Sequence, residues 1–194
     1  MSGINTSLLL ENKNLSIFKI SENLTCIRFL DQNKERFELE FNLEKGTSFN
    51  TFLIISKDEF FIIHPPEKEY SKSINEVISN FFDQFKFQKI NIITGHVNPK
   101  IIETLKSISV QFSNLTITCS NPGFKLINEL WNQRNPNLKT FIEQELPKIN
   151  IVKKELTLEL ENISLKLFPV PTARWPGGLI VYEENQEILL SEKI

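Results

Sequence analysis

Short hydrophobic runs and alternating hydrophobic and polar positions dominate the first third of the chain, and both patterns predict β-strands. The clearest alternation covers residues 36–41, where three apolar side chains face one way and two glutamates face the other. Two apolar runs flank Lys57-Asp58-Glu59, which predicts a hairpin, and Pro65-Pro66 ends its second strand. The strands predicted in this part of the chain are 16–20, 24–30, 36–41, 49–56 and 60–64.

Helical and strand patterns alternate in the rest of the chain. Apolar residues at three- and four-residue spacing predict a helix over 68–85. A second helix is predicted over 99–109, because the proline at its first position lacks an N–H that would have no partner there. A third is predicted over 123–131, because Ser120 can cap it, and a short helix is predicted over 141–146. The predicted strands are 90–94, 115–119, 149–152, 155–160, 164–169, 179–182 and 188–190.

The order of these elements predicts the fold class. A β-rich N-terminal part followed by alternating strands and helices indicates an α/β domain with mixed sheets. The 194 residues suit one domain over 15–194, and the polar residues 1–14 are predicted to be frayed. Residues 187–194 form a strand pattern with no helix after it, which indicates a domain that is incomplete at its C-terminus.

Composition excludes several classes of function. A net charge of -2 and a pI near 5.8 give no basic surface for nucleic acid or an anionic membrane. The N-terminus has no signal-peptide pattern, and no apolar run reaches the roughly 18–20 residues of a membrane span. We therefore expect a cytoplasmic protein. Cys26 and Cys119 lie in apolar strand patterns, which predicts buried free thiols, and no Cys-x-x-Cys indicates a zinc or redox motif.

The loop between the predicted strand 90–94 and the helix that begins at Pro99 is the main candidate for chemistry. Metallo-β-lactamase-like domains present their first ligands from such a turn, which must aim imidazole and carboxylate groups at one metal, about 2.0–2.2 Å away. Here His96 can ligate a metal, whereas Asn98 is neutral and Lys100 is cationic. The loop therefore has the form of a metal site whose ligands are replaced.

Several segments, in this order and spacing, resemble the diiron domain of the cyanobacterial flavodiiron (diflavin) proteins. They include Ile62-Ile63-His64-Pro65-Pro66, Gly95-His96-Val97-Asn98-Pro99-Lys100 and the run from Pro169 to Pro176. The resemblance covers about residues 24–194. The matching segments are 27–31, 35–41, 46–54, 62–66, 95–100, 119–123, 169–176 and 190–193.

This resemblance implies a metallo-β-lactamase-like αββα sandwich. In the family, a flavodoxin-like FMN domain and, in the cyanobacterial branch, a flavin-reductase-like domain follow it. Proteins of this family are electron-transport oxidoreductases. They pass electrons from NAD(P)H through FMN to a diiron centre, where O2 is reduced to water. The flavin domains are absent from this sequence, which has no Gly-rich phosphate loop. We therefore expect no cofactor in this chain.

The family's ligand pattern maps onto residues that mostly cannot bind a metal. Among these positions, only position 96 has a residue that can ligate a metal, so we expect no bound metal and no catalytic residue in this chain. If the alignment slips by one residue at the end, Glu192 takes the last position. The positions that correspond to the family's metal pocket are His96, Asn98, Lys100, Ile101, Arg174 and Lys193.

Two interpretations of the cationic positions stay open. Lys100, Arg174 and Lys193 could form a salt-bridge plug, an internal cluster of ion pairs that replaces the charge of two iron ions, since unpaired buried charge is costly. They could instead form a pocket for an anion or small ligand; we favour the plug. His64 is predicted to be structural, and the glutamates of 67–69 and 183–184 are predicted to lie in solvated loops.

Three functions remain for the chain. The first is a domain of a flavodiiron-type oxidoreductase, inactive on its own and lacking the diiron centre. The second is a non-catalytic subunit that forms a homo-oligomer or a hetero-oligomer with a metal-competent paralogue. The third is a metallo-hydrolase, which is the least supported because it needs a metal with an open coordination position and a positioned base.

Overall fold

The computed structural model of the protein describes most of the chain, and the statements below concern that part. It comprises residues 15–31, 36–37, 41–42, 47–84, 87–133, 144–161, 163–173 and 175–191. Among these residues, no helix has the length and apolar content that crossing a membrane requires.

Thirteen strands and three α-helices make up the described part. The helices are α1 (Ser71–Gln84), preceded by a 3-10 turn at Lys68–Tyr70, α2 (Pro99–Gln111) and α3 (Asn121–Trp131). The strands are β1 (Leu15–Lys19), β2 (Leu24–Asp31), β3 (Arg36–Phe37), β4 (Phe41–Asn42), β5 (Thr47–Ser56), β6 (Glu59–Ile63), β7 (Lys89–Ile93), β8 (Leu115–Ser120), β9 (Lys148–Val152), β10 (Leu156–Leu160), β11 (Ile163–Pro169), β12 (Leu179–Glu183) and β13 (Ile188–Leu190).

The strands form two large sheets and one small one. The first sheet has the order β1-β2-β5-β6-β7-β8-β9. Its pairs are antiparallel from β1 to β6 and parallel from β6 to β9. The second sheet, β10-β11-β12-β13, is antiparallel throughout, and β3 pairs with β4 alone.

Both faces of the first sheet are covered, which explains its continuous apolar runs. In β6, Phe60 and Ile62 face the helices, while Phe61 and Ile63 face the second sheet. Each fully buried side chain of this kind contributes about 1.5–3 kcal/mol. The helices cover the sheet with Ile74, Val77, Ile78, Phe81, Ile101, Ile102, Leu105, Ile108, Ile127 and Trp131.

A second core fills the space between the sheets. Alternate residues of β11 and β12 point inward, and the intervening ones point away from the first sheet, as in any sandwich. The described part therefore has three layers: helices, first sheet and second sheet. The second sheet contributes Ile163, Leu165, Leu167, Leu179, Val181 and Leu190 to this core.

Most predicted elements are confirmed, with ends shifted by at most three residues. The predicted mixed α/β class with two packed sheets is confirmed, although the second outer helical layer of an αββα sandwich is not among the described residues. Both cysteines are free and buried, as predicted. The predicted fraying of residues 1–14 concerns residues outside the described part.

Two predicted elements are wrong. The strand predicted over 36–41 is instead two short strands that pair with one another, because alternation indicates a face but not a pairing partner. The helix predicted over 141–146 falls partly outside the described residues, and Gln144–Leu146 is irregular. Trp131 Nε1 donates to Gln144 O at 2.9 Å, and Gln144 Nε2 donates to Lys106 O at 3.2 Å, so tertiary contacts hold this segment.

Candidate functional site

The candidate site lies where parallel strands β6, β7 and β8 end side by side. His64 directly follows β6, and its N–H donates to Ile93 O at 2.8 Å. Thr94 follows β7, and its N–H donates to Thr118 O at 3.0 Å. These backbone bonds bring the strand ends together, at the edge where open α/β sheets place their ligands.

His96 is held in a fixed position by its loop. Thr94 Oγ1 donates to His96 O at 2.7 Å, which closes the turn after β7. The His96 residue is only 7% exposed. Its ring meets the Trp175 ring edge to face, with centroids 4.4 Å apart and an interplanar angle of 87°. The predicted loop thus delivers its imidazole to a nearly closed site.

The side chain of Asn98 contacts the Nε2 atom of the His96 ring. Asn98 has extended backbone before α2, and its Oδ1 accepts from Ile101 N–H at 2.9 Å. That contact fixes the orientation of the amide, so Nδ2 points towards His96 Nε2 at 3.2 Å. Because an amide nitrogen can only donate, His96 Nε2 is the acceptor and its lone pair is used. Ile101 itself is buried in the helix-side core.

Lys100 forms ion pairs at the edge of the site, not within it. Its Nζ lies 3.3 Å from Glu67 Oε2 and 2.5 Å from Glu69 Oε1. The hydrogen bond to Glu69 is the main cause of a raised Lys100 pKa. The Lys100 side chain is 50% exposed, so the prediction of a buried, plugging Lys100 is wrong. The first turn of α2 lies at the surface beside the 3-10 turn, where the ammonium group reaches both glutamates and water.

The prediction that the glutamates of 67–69 and 183–184 lie in solvated loops is wrong for Glu67 and Glu183. Glu67 is buried, because it lies between the end of β6 and the first turn of α2 and pairs with Lys100. Glu183 is fully buried at the end of β12. Its two carboxylate oxygens accept the backbone N–H groups of Asn185 and Gln186 at 3.1 and 2.9 Å, which stabilises the turn into β13.

Arg174, Glu192 and Lys193 lie outside the described residues, so their predicted roles stay predictions. Residues 175–178 form a tight turn, as the two glycines suggest: Gly178 N–H donates to Trp175 O at 3.0 Å. Ser120 Oγ donates to Gly177 O at 2.9 Å and accepts from Gly123 N–H at 3.2 Å. The start of α3 thereby anchors the loop that carries Trp175.

His64 and Gly95 hold the two sheets together beside the site. His64 is 1% exposed, and its Nε2 lies 3.1 Å from Leu190 O in the second sheet. Burial lowers the pKa of His64 to about 4, although the bond to Leu190 O opposes the shift. A Cβ at Gly95 would overlap Leu179 O and lie 2.7 Å from His64 Cε1. The structural interpretation of His64 fits this arrangement.

No local pattern in the sequence indicates these contacts across the sheets. His64 and Leu190 are separated by 126 residues. Gly95 has no positive φ that would require glycine, and only the close approach of β12 and His64 explains it. A histidine followed by Pro-Pro after a strand indicates the end of the strand, but it does not indicate a partner.

The described residues of the site do not fit a diiron centre. A catalytic metal needs about three protein ligands. Among the described residues, no group of three or more His, Cys, Asp or Glu side chains could hold a metal ion. At the positions in question, His96 Nε2 binds Asn98 Nδ2, Lys100 binds two glutamates, and Ile101 is in the core.

Comparisons with known proteins give the same fold and family. The family model described as ODP family beta lactamase matches residues 47–194. The chain is 30% identical over 184 residues to diflavin flavoprotein A 6 of Nostoc sp. (strain PCC 7120), a match that covers 94% of this chain and 30% of that protein. The chain thus spans about 30% of the length of the curated relatives it matches.

Two solved structures are similar over nearly the whole chain. The metal-soaked Flv1 flavodiiron core from Synechocystis sp. PCC6803 has a TM-score of 0.76 and 27% identity, covering 92% of this chain and 41% of that one. A fragment (1–254) of diflavin flavoprotein A 5 from Nostoc sp. has a TM-score of 0.74 and 27% identity, covering 92% and 65%. The predicted resemblance to the cyanobacterial flavodiiron proteins is confirmed, and the chain belongs to the ODP beta-lactamase family.

Proposed function

We propose that residues 15–194 form the β-lactamase-like domain of a flavodiiron-type oxidoreductase, and that this domain holds no diiron centre of its own. Such an oxidoreductase would move electrons from NAD(P)H through FMN to O2, and both the flavin and the redox metal would be held outside residues 15–194. A cytoplasmic location belongs to the same proposal.

The contact between Asn98 and His96 supports the proposal most directly. A metal-ligating histidine must offer the lone pair of its unprotonated nitrogen to the metal. Here Asn98 Nδ2 donates a hydrogen bond to that lone pair, while Asn98 Oδ1 caps α2. A metal would have to displace a contact that is coupled to the start of a helix, and it would gain one ligand from this loop.

A non-catalytic subunit beside a metal-competent paralogue is the second candidate. Several diflavin flavoproteins of the same organism match this chain, including A 6, A 5 and A 4 of Nostoc sp.. Organisms with this family therefore carry several related chains that could assemble. A homo- or hetero-oligomer is the expected state in this candidate. A metallo-hydrolase gains no support from the ligand positions described above.

Metal content tests the proposal. The protein is expressed in medium supplemented with iron and zinc, purified without chelators and analysed by elemental mass spectrometry. We expect well below one metal per chain in the wild type. The variant Asn98→Glu/Lys100→Asp, which restores two carboxylates without touching the core, is expected to bind more metal than the wild type.

The His96→Ala variant serves as the control for adventitious metal. Two metals per wild-type chain that disappear in His96→Ala would refute the proposal. Metal that persists in His96→Ala would be bound elsewhere and would leave the site assignment standing. The second candidate is tested by co-purification with a tagged diflavin flavoprotein that has the full ligand set. A complex of fixed stoichiometry supports it, and elution of separate chains contradicts it.

A further inference from the structure

We draw no further inference here: the strongest candidate, the apolar patch of Phe168, Ile180, Tyr182 and Leu189 on the outer face of the second sheet, carries no proposal, because nothing in the described part of the structure shows what covers it.

Discussion

Acid should destabilise the fold through His64. The folded protein keeps this imidazole neutral, because burial lowers its pKa to about 4. In the unfolded chain the pKa returns to about 6.5. Between these two values the unfolded chain binds more protons than the folded chain, so the free energy of unfolding falls as the pH falls from about 6.5 to about 4. Above pH 6.5 the histidine is neutral in both states and contributes no pH dependence.

The size of the effect follows from the two pKa values. Each pH unit between them corresponds to about 1.4 kcal/mol, so the whole interval corresponds to about 3 kcal/mol. A domain of this size has a total stability of roughly 5–15 kcal/mol, so the loss should be easy to measure. Protonation would also place a charge between the sheets beside Leu190 O, in a position that water does not reach.

The measurement is urea unfolding at several pH values between about 4 and 7.5, for the wild type and for His64→Asn. Asparagine tolerates the left-handed backbone of residue 64, whose φ is 57°, but it has no titrating group. Every other ionisable side chain is present in both proteins, so its contribution cancels in the difference. We expect a lower stability of the variant at pH 7 and a smaller loss on acidification. Parallel curves, or an NMR titration of His64 near pH 6.5, would refute the argument.

Further substitutions test the packing and the charges around the site. Gly95→Ala should lower the free energy of unfolding in urea by about 2–3 kcal/mol, because the added Cβ would overlap Leu179 O and His64. The control is Gly123→Ala, whose added Cβ has its nearest contact at 3.2 Å and should change the stability by about 1 kcal/mol or less. Equal losses in the two variants would contradict the close approach at Gly95. Lys100→Met should cost about 1 kcal/mol or less, as expected for a half-exposed ion pair, whereas a loss of about 3–5 kcal/mol would contradict the exposed position of Lys100. The purified chain should be colourless and without NAD(P)H oxidase activity, and near-stoichiometric bound FMN in its absorption spectrum would contradict the domain assignment.

The parts of the fold that the sequence predicted are those with strong local signals. Strands such as β6 and β8 are buried on both faces, so their apolar runs have clear ends. The start of α3 was predicted because a capping serine is followed by an early proline, and Ser120 does cap this helix. The pattern of 36–41 was misleading because a period of two is compatible with any partner strand, including an immediate neighbour.

The missed features depend on contacts between distant residues. Glu67 and Glu183 resemble solvated loop residues, since their partners are a lysine 33 residues away and backbone amides of a turn. The polar positions Asn91, Thr116 and Thr118 alternate with apolar ones, which normally indicates a solvent-facing side of a strand. In the structure that side faces the second sheet, so its burial could not be predicted from the alternation.

Asn98 shows how the loop can be stable without a metal. A carboxylate at this position could cap α2 as well as an amide does, but it could not donate to His96 Nε2. The imidazole would then need another donor, a proton or a metal ion. Asparagine supplies both the acceptor for Ile101 N–H and the donor for His96 Nε2 from one side chain. The residue type at position 98 thus satisfies both neighbours through protein contacts alone, which is the strongest support for the proposal that this domain contributes structure and not a diiron centre.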